Sequence, residues 1–192
     1  YKLRAFDQIS FAWGIFRQLQ GDNYVKFNNA LPSAKAIQYI ANYQYEKNDR
    51  LFRTEMYYKS YSNLIQYSYE NNPNPNSYST LGNGNALGAD VFFRDTKTIK
   101  NGDFWISYSY IHTVRKYKNY IKSVTPEYVS PHSMSVVYKQ YISVLHTQFG
   151  MSYLLASPKL YNDLNSDLFM AAKLQATNDV SLSFSYVTRI CN

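Results

Sequence analysis

Eight segments of the chain alternate large apolar residues with polar or small ones at every second position. The clearest is VSLSFSYV (180–187), in which Val180, Leu182, Phe184 and Tyr186 have one parity and three serines have the other. Residues of one parity point to the same side of a β-strand, so this alternation predicts strands with one apolar and one polar face. The other segments are 9–16, 37–46, 51–60, 87–94, 104–111, 134–141 and 145–153. Because no segment shows a convincing helical period, we predict an all-β fold of about eight strands.

The connections between these segments alternate in length. Long polar stretches lie at about 19–33, 68–85, 118–131 and 157–178, and short turns at 47–50, 101–103 and around Ser143. Asn-Gly at the start of the second turn is a strong hairpin signal. The glycine-rich LGNGNALG (81–88) leads into a strand and is therefore predicted as a loop tip, not a phosphate-binding loop. Antiparallel up-and-down strands with short turns at one end and long loops at the other are typical of outer-membrane barrels.

The alternation alone leaves open which face of the strands points inward. A soluble barrel or lipocalin-like fold has its apolar face inside, whereas a membrane barrel has a polar lumen and an apolar belt against lipid. Several segments reach the ~9–11 residues that a tilted strand needs to cross a bilayer. Tyrosines such as Tyr39, Tyr58 and Tyr153 lie towards strand ends, where aromatic girdles meet the membrane interface. These features favour a transmembrane barrel.

The membrane interpretation assigns a side to each residue by its parity. We expect the lumen to be lined by polar residues, namely Gln38, Asn42, Gln44, Arg53, Glu55, Lys59, Asp90, Arg94, His146 and Gln148. We expect lipid to contact Phe52, Met56, Tyr58, Val91, Phe93, Ile106, Tyr108, Phe149, Met151, Leu182 and Phe184. Asp90 and Arg94 share a parity beside Asp95, which predicts ion pairs, and Arg53, Glu55 and Lys59 predict a charge ladder that ties strands together.

Composition supports the membrane interpretation. Tyrosine, with an apolar ring and a polar hydroxyl, accounts for 21 of the 192 residues and suits surfaces where apolar and aqueous regions meet. The net charge of +7 is scattered along the chain. Its densest group, VRKYKNYIK (114–122), fits either a solvated loop and strand end or a nucleic-acid patch with stacking tyrosines. We favour the first and expect no nucleic-acid partner.

The residue types that carry most enzyme and metal chemistry are sparse. The single cysteine, Cys191, excludes an internal disulfide and a cysteine-based zinc cluster. His112, His132 and His146 are far apart, without metal-ligand spacing. No run approaches the ~20 apolar residues of a membrane-spanning helix. We expect neither an enzyme nor a cofactor or bound metal.

Taken in order, longer motifs resemble the late barrel of TonB-dependent outer-membrane receptors, particularly those of Bacteroidetes. ALGADVFFRDTKTIKNGDFWISYSYIHTVRKYKNY (86–120) is similar to a hairpin of that family, with a down-strand, an N-x-D turn and an up-strand. The other matching motifs are SFAWGIFRQ (10–18), LPSAKAIQYIANYQYEKNDRLFRTEMYYKSYSNLIQY (31–67), HSMSVVYKQYI (132–142), HTQFGMSYLLASPKLYN (146–162) and VSLSFSYVT (180–188). The resemblance covers essentially the whole chain.

The resemblance implies that residues 1–192 are a partial outer-membrane β-barrel domain. Receptors of this family have barrels of about 22 strands that enclose a plug domain, so the chain is expected to be part of a longer receptor whose plug and other strands lie elsewhere. The implied function is uptake of a bulky ligand, such as a siderophore, cobalamin, an oligosaccharide or a peptide, across a Gram-negative outer membrane. The implied partners are outer-membrane lipid, the plug domain and the TonB complex. Two alternatives stay open: a passive structural or adhesive eight-stranded outer-membrane barrel, and a soluble lipocalin-like binder.

Overall fold

The computed structural model of the chain describes residues 2–4, 6–20, 31–67 and 78–188. The strands are β1 (Lys2–Arg4), β2 (Asp7–Gln18), β3 (Ala34–Lys47), β4 (Arg50–Gln66), β5 (Ser79–Asp95), β6 (Gly102–Lys116), β7 (His132–Ile142), β8 (Thr147–Ala156), β9 (Leu160–Tyr161), β10 (Ala172–Lys173) and β11 (Thr177–Tyr186). Cys191 and parts of the predicted loops at 19–33 and 68–85 lie outside the described residues. None of the described helical segments is long and apolar enough to cross a membrane.

Nine strands form one antiparallel sheet in the order β1-β2-β3-β4-β5-β6-β7-β8-β11. The eight predicted strands appear as β2 to β8 and β11, and each hydrogen-bonds to the next along the sheet. The short strand β1, which the alternation did not reveal, pairs with β2. The all-β, up-and-down prediction is therefore confirmed, and the sheet is open.

The turn between β3 and β4 is as tight as predicted. Lys47 pairs with Arg50, which leaves Asn48 and Asp49 as a two-residue loop. Both loop residues have positive φ, 52° and 60°, as a type I′ hairpin turn requires. Asn and Asp tolerate this left-handed backbone better than other non-glycine residues.

The connection between β5 and β6 was predicted at the wrong place. It is 96–101, and the Gly102 and Asp103 of the predicted NGD turn belong to β6. Asp95 ends β5 because its carboxylate accepts hydrogen bonds from the Lys97 and Thr98 amides and the Thr98 hydroxyl at 2.7–2.8 Å. A side chain that bonds the backbone two and three residues ahead offers the chain a turn in place of the ladder.

The start of β5 was also predicted wrongly, since the strand begins at Ser79 and includes the whole 81–88 segment. Its glycines act through their small size here. A Cβ added at Gly82 would lie 2.5 Å from the Leu64 carbonyl oxygen and 2.7 Å from the Lys116 carbonyl oxygen. Glycine therefore lets β5 pass close to both neighbouring strands. The glycine-rich composition that suggested a loop is a feature of a closely packed strand here.

The connection between β7 and β8 differs from the prediction by two residues. Ser143–Leu145 form one 3-10 turn, and His146 follows with a left-handed φ of 46°. Because β8 begins only at Thr147, the predicted strand start at Leu145 was wrong. His146 therefore lies in a turn and not among the alternating positions of a strand.

Most of the buried side chains lie at the loop end of the sheet, where the connections after β4, β6 and β8 meet. They include Ile65, Ala86, Thr113, Tyr120, Pro126, Val129 and Met170. The 117–131 segment is fastened to β4 by backbone hydrogen bonds between Lys118 and both Ile65 and Tyr67. The Tyr120 ring contacts Phe169 of the next loop edge-on at 5.6 Å between centroids. The long loops are therefore partly packed.

Replacing Gly88 by Val should destabilise the sheet by roughly 1–3 kcal/mol, the usual effect of overpacking. Gly88 is buried, and a Cβ there would overlap the Tyr57 ring on the neighbouring strand. Ala12→Val, at an exposed position on the same face, is the matched control. Urea unfolding of both variants measures the difference, and equal midpoints would contradict the packing argument.

Candidate functional site: the polar face of the sheet

The strand register separates the two faces of the sheet into different chemistries. One cross-strand row, from β2 to β11, reads Ile9, Tyr43, Thr54, Val91, Tyr108, Met134, Leu155 and Asn178. The adjacent row reads Ser10, Asn42, Glu55, Asp90, Ser109, Ser133, Ala156 and Thr177. We call the face of the first row the apolar face and the face of the second row the polar face. Neighbouring strands thus agree on a single register of the hydrophobic pattern.

The sequence-predicted site residues sort onto these faces with one exception. All eleven predicted lipid contacts lie on the apolar face, because the register aligns their parities from β4 to β11. The predicted lumen residues lie on the polar face, apart from His146 in its turn.

The apolar face is open to its surroundings. The exposed fractions of Phe11, Met56 and Phe184 are 81%, 62% and 71%. A contiguous exposed apolar surface of this kind marks a membrane or protein contact. In β2 to β8 and β11, charged residues of this face stand only at or next to strand ends: Asp7, Arg17, Lys35, Lys47, Arg50, Asp95 and Lys116.

Cationic side chains on the polar face lie over aromatic rings. Arg94 of β5 and Lys139 of β7 both lie over the Trp105 ring of β6, at 5.9 and 5.1 Å from its centroid, so the group joins three strands. Arg53 lies 5.7 Å from the Phe92 ring. Lys59 over Tyr57 and Arg115 over Tyr61 are further pairs on this face. A cation held within about 6 Å of a ring is stabilised without an acidic partner.

Ion pairs were predicted around Asp90, Arg94 and Asp95 without assigned partners, and the structure shows one for Arg94 and one for Asp95. Arg94 forms a bidentate salt bridge with Asp103, at 3.0 and 2.7 Å, and not with Asp90. The other salt bridge among the described residues joins Arg50 and Asp95 at 2.8 Å. The charge ladder expected from Arg53, Glu55 and Lys59 is absent from the described strands, because both cations lie over rings.

The polar face is concave. A cavity of about 560 Å³ spans β2 to β6 and is lined mostly by polar-face residues, including Asn42, Arg53, Glu55 and Asp90. A second cavity, of about 650 Å³, continues it towards the turn end and shares Gln8 and Gln44 with the first. The concave side therefore offers carboxylates, amides, hydroxyls and ring-bound cations to whatever occupies it.

At the loop end the polar face meets the packed loops. The Arg115 guanidinium lies 4.1 Å from the Tyr61 centroid and 5.8 Å from that of Tyr128. Its buried Nε has no hydrogen-bond partner among the described residues. Burial, with a smaller effect from Tyr128, raises the pKa of Tyr117 above its ordinary value. The 114–122 segment is thus part strand and part packed loop.

Tyr57, Phe92 and Trp105 were not predicted from the sequence as partners of cations, because only polar and charged residues were assigned to the polar face. Each of them has polar-face parity and sits beside a cation on its own or the next strand. An aromatic residue on the polar parity of a strand was the available signal.

No protein-family model and no curated protein matches the sequence. Solved structures with the same fold are nevertheless found. The ferric-catecholate import receptor Fiu of E. coli K12, in its closed form, has a TM-score of 0.70 and 11% identity over 95% of this chain. The FrpB iron transporter of Neisseria meningitidis (F3-3 variant) has a TM-score of 0.73 and 6% identity over 97%. The unliganded ferric citrate transporter FecA has a TM-score of 0.70 and 12% identity over 97%.

The chain spans less than a third of each of these proteins, between 27% and 30% of their length. At such low identity the likeness concerns the fold alone. This chain has the fold of a β-barrel segment of large receptors of this type, as an open antiparallel sheet.

Proposed function

We propose that this chain forms part of the barrel wall of a TonB-dependent outer-membrane receptor, with its apolar face against lipid and its polar face lining the lumen. The observation that carries the proposal is the distribution of charge on the apolar face. On the apolar face of β3, Lys35 and Lys47 flank a band without charged residues that runs from Ile37 to Tyr45. This band is ~27 Å long at ~3.4 Å per residue. With strands tilted by ~35–45°, this is about 20 Å along the membrane normal, close to the apolar band of such barrels.

The proposed activity is energised uptake of a bulky ligand through the lumen. The three structural neighbours are named for iron import, which favours an iron chelate such as a siderophore over cobalamin, an oligosaccharide or a peptide. The mixed charges and ring-bound cations of the concave face suit a polar ligand of that size. The plug domain and the segment that contacts the TonB complex belong, in this proposal, to the remainder of the receptor.

Two observations weigh against the alternatives. A passive eight-stranded barrel needs its first and last strands paired, yet in the described part of the chain β1 and β11 stand at opposite edges of the sheet. A soluble lipocalin-like binder needs an apolar concave face, and here the 560 Å³ cavity that spans β2 to β6 is lined mostly by polar-face residues.

Uptake by cells that carry the full-length receptor tests the proposed activity. Accumulation of a radiolabelled iron chelate should depend on the receptor and should stop when a protonophore collapses the proton-motive force. Accumulation that persists after this treatment would indicate passive diffusion and contradict energised uptake.

The sidedness of the segment gives a separate prediction. Because outer-membrane barrels have long extracellular loops and short periplasmic turns, epitope tags in the connections at 68–78, 118–131 and 157–176 should be accessible on intact cells. Tags in the turns at 47–50 and 96–101 should be accessible only after permeabilisation. A surface-accessible tag at Asn101 with a hidden tag at Asn74 would reverse the topology.

A further inference from the structure

The charged residues of the apolar face differ between its two ends. At the turn end, acids and bases are mixed: Arg50 bonds Asp95 at 2.8 Å, and Asp7 accepts a hydrogen bond from the Tyr43 hydroxyl at 2.9 Å. At the loop end, the charged residues of this face in the described strands are Arg17, Lys35 and Lys116. Among the described strand residues, one rim of this face therefore has balanced charges, and the other carries only basic residues.

Arg17 and Lys35 lie directly opposite each other on β2 and β3. Like charges at opposed positions of neighbouring strands destabilise a sheet unless an anion lies between them. Lys47 and Arg50 also face each other at the turn end, but there Asp95 supplies the counter-charge. Neither Arg17 nor Lys35 forms a salt bridge with a described residue, so no acid in the described part of the chain offsets the two positive charges.

An apolar groove of about 440 Å³ begins two same-face rows below this pair, and the row of Ile15 and Ile37 lies between the groove and the cations. Its floor is low because Ala41 separates the larger Phe11 and Met56 in one cross-strand row, and Trp13, Tyr39 and Tyr58 form its wall in the next. Arg17 is four residues from Trp13, or ~13 Å along the strand. A molecule with an apolar chain in the groove thus places its head group at the cation pair.

We propose that the groove and the Arg17–Lys35 pair together bind one phosphate-bearing lipid of the outer leaflet. Phosphate is the lipid group that matches two adjacent cations, and the groove requires a hydrocarbon chain. An acidic peptide would satisfy the cations but would leave a strongly apolar groove in contact with water. The inference rests on the proposed function, because it requires the apolar face to lie in the membrane with its loop end outward.

Native mass spectrometry of the full-length receptor, titrated with diphosphoryl lipid A, tests this site. The double variant Arg17→Gln/Lys35→Gln should bind this lipid about thirtyfold more weakly, since the two cations near a lipid surface contribute about 1 kcal/mol each. Ala41→Phe, which fills the groove and keeps both charges, should weaken binding as well. The control Lys97→Gln/Lys100→Gln removes two exposed charges from the 96–101 turn and should bind like the unmodified receptor.

Unchanged binding by the double variant would overturn the inference. If inorganic phosphate competes for the site as effectively as the lipid itself, the inference also fails, because the site would then recognise a free anion. The variant Phe184→Cys distinguishes failure of the lipid site from failure of the proposed function. If Phe184→Cys reacts with a lipid-phase probe while the double variant binds normally, only the lipid site is wrong; if it reacts only with aqueous probes, the membrane assignment itself fails.

Discussion

Replacing Met56 by Lys is expected to destabilise the folded receptor in bilayers by about 2–4 kcal/mol, the usual cost of a basic residue facing lipid at the bilayer midplane. Met56 is 62% exposed on the apolar face, between Ala41 and Ala89 on the adjacent strands. It stands six residues from Arg50, the nearest charge of its strand on that face. Urea unfolding in lipid vesicles measures the change.

The matched control for this substitution is Ser109→Lys. Ser109 lines the concave polar face opposite Asp90, where an added ammonium meets water and a carboxylate. We expect its free energy of unfolding to stay within about 0.5 kcal/mol of the unmodified value, as for other surface substitutions. A larger loss for Ser109→Lys than for Met56→Lys would mean that the polar face meets lipid.

Residues 1–192 on their own are expected not to refold as a closed monomeric barrel. The sheet of the described residues has β1 and β11 at its two edges, and β11 pairs with β8 on one side only. Unpaired backbone amides and carbonyls are costly in lipid, which is why membrane sheets close. In water the same open edges promote aggregation.

Refolding into detergent micelles, followed by electrophoresis with and without heating, decides this point. The expected result is aggregated or protease-sensitive material. The full-length receptor, refolded in parallel, should give a heat-modifiable band and is the positive control. A monomeric, heat-modifiable and protease-resistant band from residues 1–192 would support the closed eight-stranded barrel instead.

The strands and their faces were predictable because a period of two residues constrains a strand strongly. Shifting a strand by one residue moves every side chain to the other face, so the apolar parities of β2 to β11 could align in one way only. Phe184, Met151 and Val136, for example, were assigned to the same face from their own segments, and the register places them there.

The connections were less predictable because glycine and asparagine have more than one use. Gly82 and Gly88 suggested a loop, yet both serve close packing against neighbouring strands. Asn101 does adopt a left-handed φ of 58°, but the chain leaves the strand earlier, at Asp95. The Asp95 carboxylate accepts hydrogen bonds from the amides of Lys97 and Thr98, which the hydrophobic alternation does not reveal. Side chain to backbone bonds of this kind leave little trace in the hydrophobic pattern.

The sequence predicted which residues lie on the polar face, but it did not predict which contacts they form. Its residues follow from parity, but whether Arg53 meets an acid or a ring depends on which residue β5 places beside it, and that residue is Phe92. The packed loop cluster could not be derived either. The Tyr120–Phe169 contact joins loops that are 49 positions apart in the chain, and no local pattern encodes such a contact.

Site-specific labelling of the full-length receptor in bilayers tests the central claim most directly. After Cys191→Ser removes the native thiol of this segment, single cysteines replace adjacent residues of opposite parity on β8 and β11. We predict that Phe149→Cys and Phe184→Cys react with lipid-phase probes, and that Gln148→Cys and Ser183→Cys react with aqueous probes. The reverse pattern would contradict the assignment of the apolar face to lipid, and with it the outer-membrane receptor.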